Sequence, residues 1–111
     1  MVEVVVTREF EGWYASLDET TSDAVHRVVD LLEARGTSLG FPYSSQLKGA
    51  QYGMRELRVQ AAGRPIRIAY AFDPKRQAVV LLGADKTGDD RFYPQFIRDA
   101  ERLMEEYLKT M

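Results

Sequence analysis

The sequence contains no cysteine, which excludes disulfides, thiolate metal sites, iron-sulfur clusters and cysteine nucleophiles. Its single histidine, His26, excludes a two-imidazole acid-base scheme and a multi-histidine metal centre. No apolar run approaches the roughly 18 residues that a membrane-spanning helix requires; the longest candidate is Ala78 to Ala84. The opening Met1-Val2-Glu3-Val4-Val5-Val6 lacks a basic region and a cleavage site. It reads as a first strand rather than a signal, and the expectation is a cytoplasmic protein without a membrane partner.

What is present is enough for a core. With 111 residues, 45% hydrophobic and 29% charged, the chain is long and apolar enough to form one domain over residues 1–111. The net charge of −2 argues against nucleic acid only as an average, because the charge is unevenly spread. Residues 44–93 carry nine Lys and Arg against five Asp and Glu, so a basic middle sits between acidic flanks and faces an anion more readily than the total implies.

The β-branched residues 2–7 predict a short strand, with Thr7 capping a helix over about 8–17 in which Phe10, Trp13, Tyr14 and Leu17 share a face. A second helix is expected from Ser22, striped by Val25, Val28, Val29 and Leu32 and stopped at Gly36. These two form a helical hairpin. Residues 36–53 read as a connection with one extended piece near Ser45 to Lys48. Arg55 to Gln60 and Ile66 to Phe72 alternate with period two around Ala61-Ala62-Gly63-Arg64, the pattern of a β-hairpin. Gln77 to Ala84 is apolar on both faces, as in a covered strand. A last helix begins near Pro94 with an inward stripe of Phe96, Ile97, Ala100, Met104, Tyr107 and Leu108. The fold class is α+β: an N-terminal strand and helical hairpin on an antiparallel sheet of about four strands, with a C-terminal helix.

A hairpin turning about Ala62 and Gly63 pairs residues whose numbers add to 125. Arg58 then faces Arg67, and Glu56 faces Ala69, while Leu57, Val59, Ile66, Ile68, Tyr70 and Phe72 point the other way into the core. Opposed guanidinium groups repel by about 0.2–1 kcal/mol, so an anion, Glu56 or a function should accompany them. The small Ala69 and Ala71 leave that face hollow. A hollow face lined by arginine suits a phosphodiester, whose transition state carries added negative charge. The following loop brings Lys86, Arg91 and Tyr93 near one end of the sheet and is not a Walker A loop. Asp85, Asp89 and Asp90 match no calcium-loop spacing, and His26 reads as structural.

Leu47-Lys48-Gly49, Met54-Arg55-Glu56-Leu57-Arg58-Val59, Arg67-Ile68-Ala69-Tyr70 and Leu81-Leu82-Gly83-Ala84-Asp85-Lys86-Thr87-Gly88 resemble, in order and spacing, the consecutive blocks of the RelE/ParE toxin superfamily, in the branch of phage Gp49-like, HigB-type toxins. The resemblance runs over about residues 1–108. It implies a RelE-like, microbial-ribonuclease-like sheet and a type II toxin that cleaves mRNA on the ribosome by transfer of the phosphate to the ribose 2′-oxygen, without metal or other cofactor. It further implies Arg67 as the main transition-state phosphate contact with Arg58 assisting, Lys86 as a phosphate contact or acid, and Tyr93 as a stacking or proton-sharing group. Unperturbed Lys, Tyr and Arg side chains titrate near roughly 10–13, poorly placed for proton transfer at neutral pH, which makes Glu56 a candidate base. Lys48, Arg55 and Arg91 are expected to bind RNA. The implied partners are the ribosome, mRNA and a helix-turn-helix antitoxin of HigA type. The same resemblance leaves open a ParE-like gyrase poison or an inactive binding partner of the antitoxin. One departure is Asp85 before Lys86, where such toxins often carry two basic residues in a row.

Overall fold

Capping chemistry and period-two patterning set the element boundaries in the computed structural model, which describes residues 1–111. Strand β1 (Val4–Val6) leads directly into helix α1 (Arg8–Ala15). Thr7 joins them: its hydroxyl accepts the Phe10 N–H at 3.0 Å and donates to the Leu81 carbonyl at 2.6 Å. One side chain thus caps a helix and ties it to the sheet. Helix α2 (Glu19–Arg35) starts earlier than the Ser22 expected, because Asp18 accepts the Thr21 N–H at 3.0 Å and is the actual N-cap. Six consecutive polar residues, Asp18 to Asp23, compete for that role by sequence alone. A short 3₁₀ turn (Gly36–Ser38) then precedes β2 (Ser44–Gln46), β3 (Arg55–Ala61), β4 (Arg64–Phe72), β5 (Ala78–Asp85) and α3 (Phe92–Leu108).

The sheet is five-stranded and mixed, in the order β1-β5-β4-β3-β2. The α+β expectation holds, with one addition: β1 is a full sheet member, parallel to β5 through Val4↔Ala78 to Val6↔Val80. The β3–β4 register matches the pairing deduced from the turn, with Arg58↔Arg67, Glu56↔Ala69 and Leu57↔Ile68. Between β4 and β5 the register shifts at Ala69/Tyr70, leaving Leu81 as the extra residue on β5 whose carbonyl Thr7 takes up.

Each sheet face has its own core. Helices α1 and α2 cover Leu57, Val59, Ile66, Ile68, Tyr70 and Val80 through Phe10, Val25, Val28 and Leu32. On this side Gly83 lies directly under the Trp13 indole, so closely that a Cβ there would collide with it. Helix α3 covers Ala69, Ala71, Val79 and Leu81 through Phe92, Phe96, Ala100, Leu103 and Met104. The hollow expected at Ala69 and Ala71 is therefore filled by protein, since small strand residues let a helix bearing phenylalanines approach the sheet. Glu56, Arg58 and Arg67 lie on this same face, beside the first turn of α3. No helix is long and apolar enough to cross a membrane.

Candidate functional site

Strand alternation sets Glu56 and Arg58 on the α3 face of β3, and antiparallel pairing brings Arg67 of β4 opposite Arg58. Two opposed guanidinium groups need a counter-charge, and Glu56 supplies it. Its Oε2 lies 3.6 Å from Arg58 Nη1 and its Oε1 lies 3.6 Å from Arg67 Nε. The carboxylate is buried, with the residue 4% exposed, so it requires strong partners. The Tyr93 hydroxyl, carried by the first turn of α3, donates to it at 2.9 Å and 3.1 Å, and the Ser45 hydroxyl of β2 donates at 3.1 Å. Three strands and one helix thus converge on a single carboxylate.

The arginines differ in how they are held. Arg67 is buried, its Nη1 donates to the Ile66 carbonyl at 3.0 Å, and its Nε finds no hydrogen-bond partner. At 3.6 Å the Glu56 oxygen attracts that Nε–H without closing a hydrogen bond. Arg58 keeps about a third of its side chain exposed and lies with its guanidinium carbon 5.9 Å from the centre of the Phe41 ring. Lys86 Nζ stands 5.8 Å from the centre of the Tyr93 ring. Burial pushes the Tyr93 phenol up, its hydrogen bond to Glu56 pushes it further, and Arg67 pulls back only partly. Tyr93 is therefore a neutral hydroxyl at physiological pH.

Glu56 and Tyr93 open onto a cavity of about 450 Å³ also lined by Ser45, Gln46, Leu47, Lys48 and Ile97. Four of the five expected catalytic residues form one contact network: Glu56, Arg58, Arg67 and Tyr93. The fifth, Lys86, stands at its edge beside Tyr93, and Lys48 lines the same cavity. Arg55 does not join them. As the strand neighbour of Glu56 it points to the opposite face, where its Nε donates to Ser44 Oγ at 3.0 Å and Ser44 Oγ lies 2.6 Å from the Tyr70 hydroxyl. Arg91 stands exposed just before α3, its backbone N–H donating to Asp89. Asp85, the acidic departure beside Lys86, directs its carboxylate to Arg64 at 3.2 Å and to Thr87. His26 is exposed, 3.3 Å from Asp30, rather than packed in a core.

Ser45 was not found by sequence reasoning. It occupies a three-residue edge strand within a Gly, Ser and Pro-rich stretch, and only the pairing Ser45↔Glu56 reveals it. Phe41 was missed for the same reason, since a lone aromatic in an irregular segment carries no periodicity.

Residues 12–105, which include every residue of this network, match the family described as "Phage derived protein Gp49-like (DUF891)". The chain is 38% identical over 109 residues to a Mycobacterium tuberculosis protein named "Putative toxin HigB3", covering 96% of this chain and 94% of that one. It is 35% identical over 100 residues to "Putative toxin HigB2" of the same organism, covering 87% of this chain and 50% of that longer protein.

Proposed function

From the premise that the chain belongs to the Gp49-like family and is a HigB-type toxin of a toxin-antitoxin system, we propose that it is a ribosome-dependent mRNA endoribonuclease that arrests translation. Residues 1–111 act in this reading as one cytoplasmic catalytic domain, silenced by a cognate antitoxin of helix-turn-helix, HigA-like type. The observation that carries the reading is the Glu56 carboxylate, buried between two arginines and a tyrosine hydroxyl at the wall of an open cavity. That set holds a base, a proton donor and phosphate-binding charge within one contact network, which is what transesterification of RNA requires.

The chemistry follows from those roles. The ribose 2′-hydroxyl attacks the adjacent phosphorus and gives its proton to Glu56. The bond from phosphorus to the 5′-oxygen breaks, and that oxygen takes a proton from Tyr93, leaving a 2′,3′-cyclic phosphate and a 5′-hydroxyl end. Tyr93 keeps its proton until an alkoxide, a stronger base than phenolate, develops beside it. Glu56 then returns its proton to the phenolate across the 2.9 Å contact, and both groups are reset. Arg67 and Arg58 stabilise the charge that builds on the phosphoryl oxygens. Lys86 and Lys48 draw the strand in. The ribosome supplies strand orientation, the contribution that lets modest acids and bases suffice.

The test is mRNA cleavage in a purified translation system, with and without ribosomes, comparing wild type with Arg67→Ala and Glu56→Gln, each checked for folding by circular dichroism. Cleavage only with ribosomes, lost in folded variants, is the expected result. Intact mRNA in every reaction overturns the reading and directs attention to gyrase.

A further inference from the structure

The most exposed aromatic side chain of the protein is Phe41, with 81% of its surface accessible. A single exposed ring is ordinary on a protein surface; what distinguishes this one is its place beside Arg58 of the proposed active site. Its display is built rather than incidental. Leu39 on one side is buried at 2% exposure and Ser44 on the other at 1%. The Tyr43 and Ser44 N–H groups both donate to the Gly40 carbonyl at 3.1 Å, and Arg58 N–H donates to the Tyr43 carbonyl at 2.8 Å. The segment is thus pinned at both ends, and pinned to β3 at the residue that carries the guanidinium.

We propose that Phe41 is a stacking platform for a base of the single-stranded RNA substrate, next to the nucleotide whose phosphate is held by Arg58. This inference rests on the endoribonuclease reading and names how that site grips its substrate. Three observations carry it. Arg58 lies 5.9 Å from the ring centre, close enough to polarise it while leaving most of its surface open. Arg58 also reaches Glu56, and Glu56 reaches Arg67, so a line runs from ring to guanidinium to reacting centre. Tyr43, 40% exposed, follows Phe41 by two residues along the same segment and adds a second aromatic surface. Aromatic faces flanked by cationic side chains are how single strands are gripped irrespective of sequence. Charge favours RNA over a neutral protein surface, since Arg58, the exposed charged group beside the ring, is cationic and the Glu56 carboxylate it reaches is buried and shared with a second arginine.

The experiment measures ribosome-dependent cleavage as a function of toxin concentration for wild type, Phe41→Ala, Phe41→Leu, Phe41→Trp and Arg67→Ala. An exposed side chain contributes little to folding, and equal melting temperatures of the Phe41 variants confirm it. Expected is a rise of about tenfold in the half-saturating concentration for Phe41→Ala and Phe41→Leu, with the maximal rate nearly kept and Phe41→Trp like wild type. Arg67→Ala loses the maximal rate instead. Wild-type kinetics in Phe41→Ala, or a leucine that serves as well as phenylalanine, overturns the stacking platform while leaving the nuclease intact. Unchanged cleavage combined with lost inhibition by the cognate antitoxin assigns the ring to a protein interface and also overturns it. A wild-type protein that cleaves nothing overturns both readings together.

Discussion

Glu56 owes its character to its partners. A buried carboxylate facing one arginine would be an ordinary ion pair, but this one shares two arginines and accepts two hydroxyl donors. Of these, the Tyr93 hydroxyl alone both holds the carboxylate and carries a proton that the proposed reaction consumes. Tyr93→Phe removes that proton and leaves the ring. The expected outcome is a stability loss of about 1.5–3 kcal/mol in denaturant unfolding, the size of one hydrogen bond to a charged group, and a fall of about a hundredfold in cleavage rate, the scale of a missing general acid. A folded Tyr93→Phe protein that cleaves at the wild-type rate would remove Tyr93 from the chemistry. The pairing of Glu56, Arg58 and Arg67 was legible from the chain, because period two and one turn fix which residues oppose each other. The position of Tyr93 in the loop after β5 puts it near one end of the sheet, but its contact with Glu56 was not legible, since no local pattern says that the first turn of α3 reaches β3.

The hairpin of β3 and β4 sets the register of the site, and its turn is not ideal. Ala61 pairs with Arg64, and the two residues between them, Ala62 and Gly63, both have positive φ, 51° and 75°. A two-residue loop of this kind needs that conformation twice, which glycine adopts freely and alanine only at a cost. Ala62→Asn places a residue tolerant of positive φ at the exposed first position. It is expected to raise stability by about 0.5–1 kcal/mol in thermal or denaturant unfolding with cleavage unchanged; a loss of stability would show that the alanine conformation is not strained. Other elements were less legible, each for a physical reason. Strand β1 pairs parallel with β5 across more than seventy residues of chain, and no local signal encodes such a partner. The α3 face looked empty because Ala69 and Ala71 are small, yet smallness there is what admits Phe96 and Met104. Arg55 shares the positive charge of the RNA-binding candidates, but alternation sends it to the other face.

The molecule as a whole is tied together far from the site by a second buried carboxylate. Asp73, at the turn after β4 and 5% exposed, accepts N–H groups of Lys75 and Gln77 at 2.9 Å and the Tyr107 hydroxyl of α3 at 2.8 Å. Gln77 in turn donates to Glu3 beside β1 at 3.0 Å. One network therefore joins the N-terminal segment, the β4–β5 turn and the end of the last helix. Burial pushes the Asp73 carboxyl up, but its hydrogen bonds more than offset this and hold it below the usual range. Burial and the Asp73 carboxylate push the Tyr107 phenol from its ordinary 10.0 up to about 12. The folded state thus keeps the Tyr107 proton where the unfolded chain releases it. Its contribution to stability is complete below about pH 10 and declines as pH rises from there through the folded value. Tyr107→Phe, which cannot ionise, should be less stable than wild type by about 1–2 kcal/mol near pH 8 because the bond to Asp73 is lost. The gap should narrow steadily in guanidinium unfolding curves taken between pH 9 and 11.5, since only wild type pays for ionisation of this group on holding its fold. Parallel pH profiles for the two proteins would show that the Tyr107 hydroxyl does not hold the end of α3 to the turn.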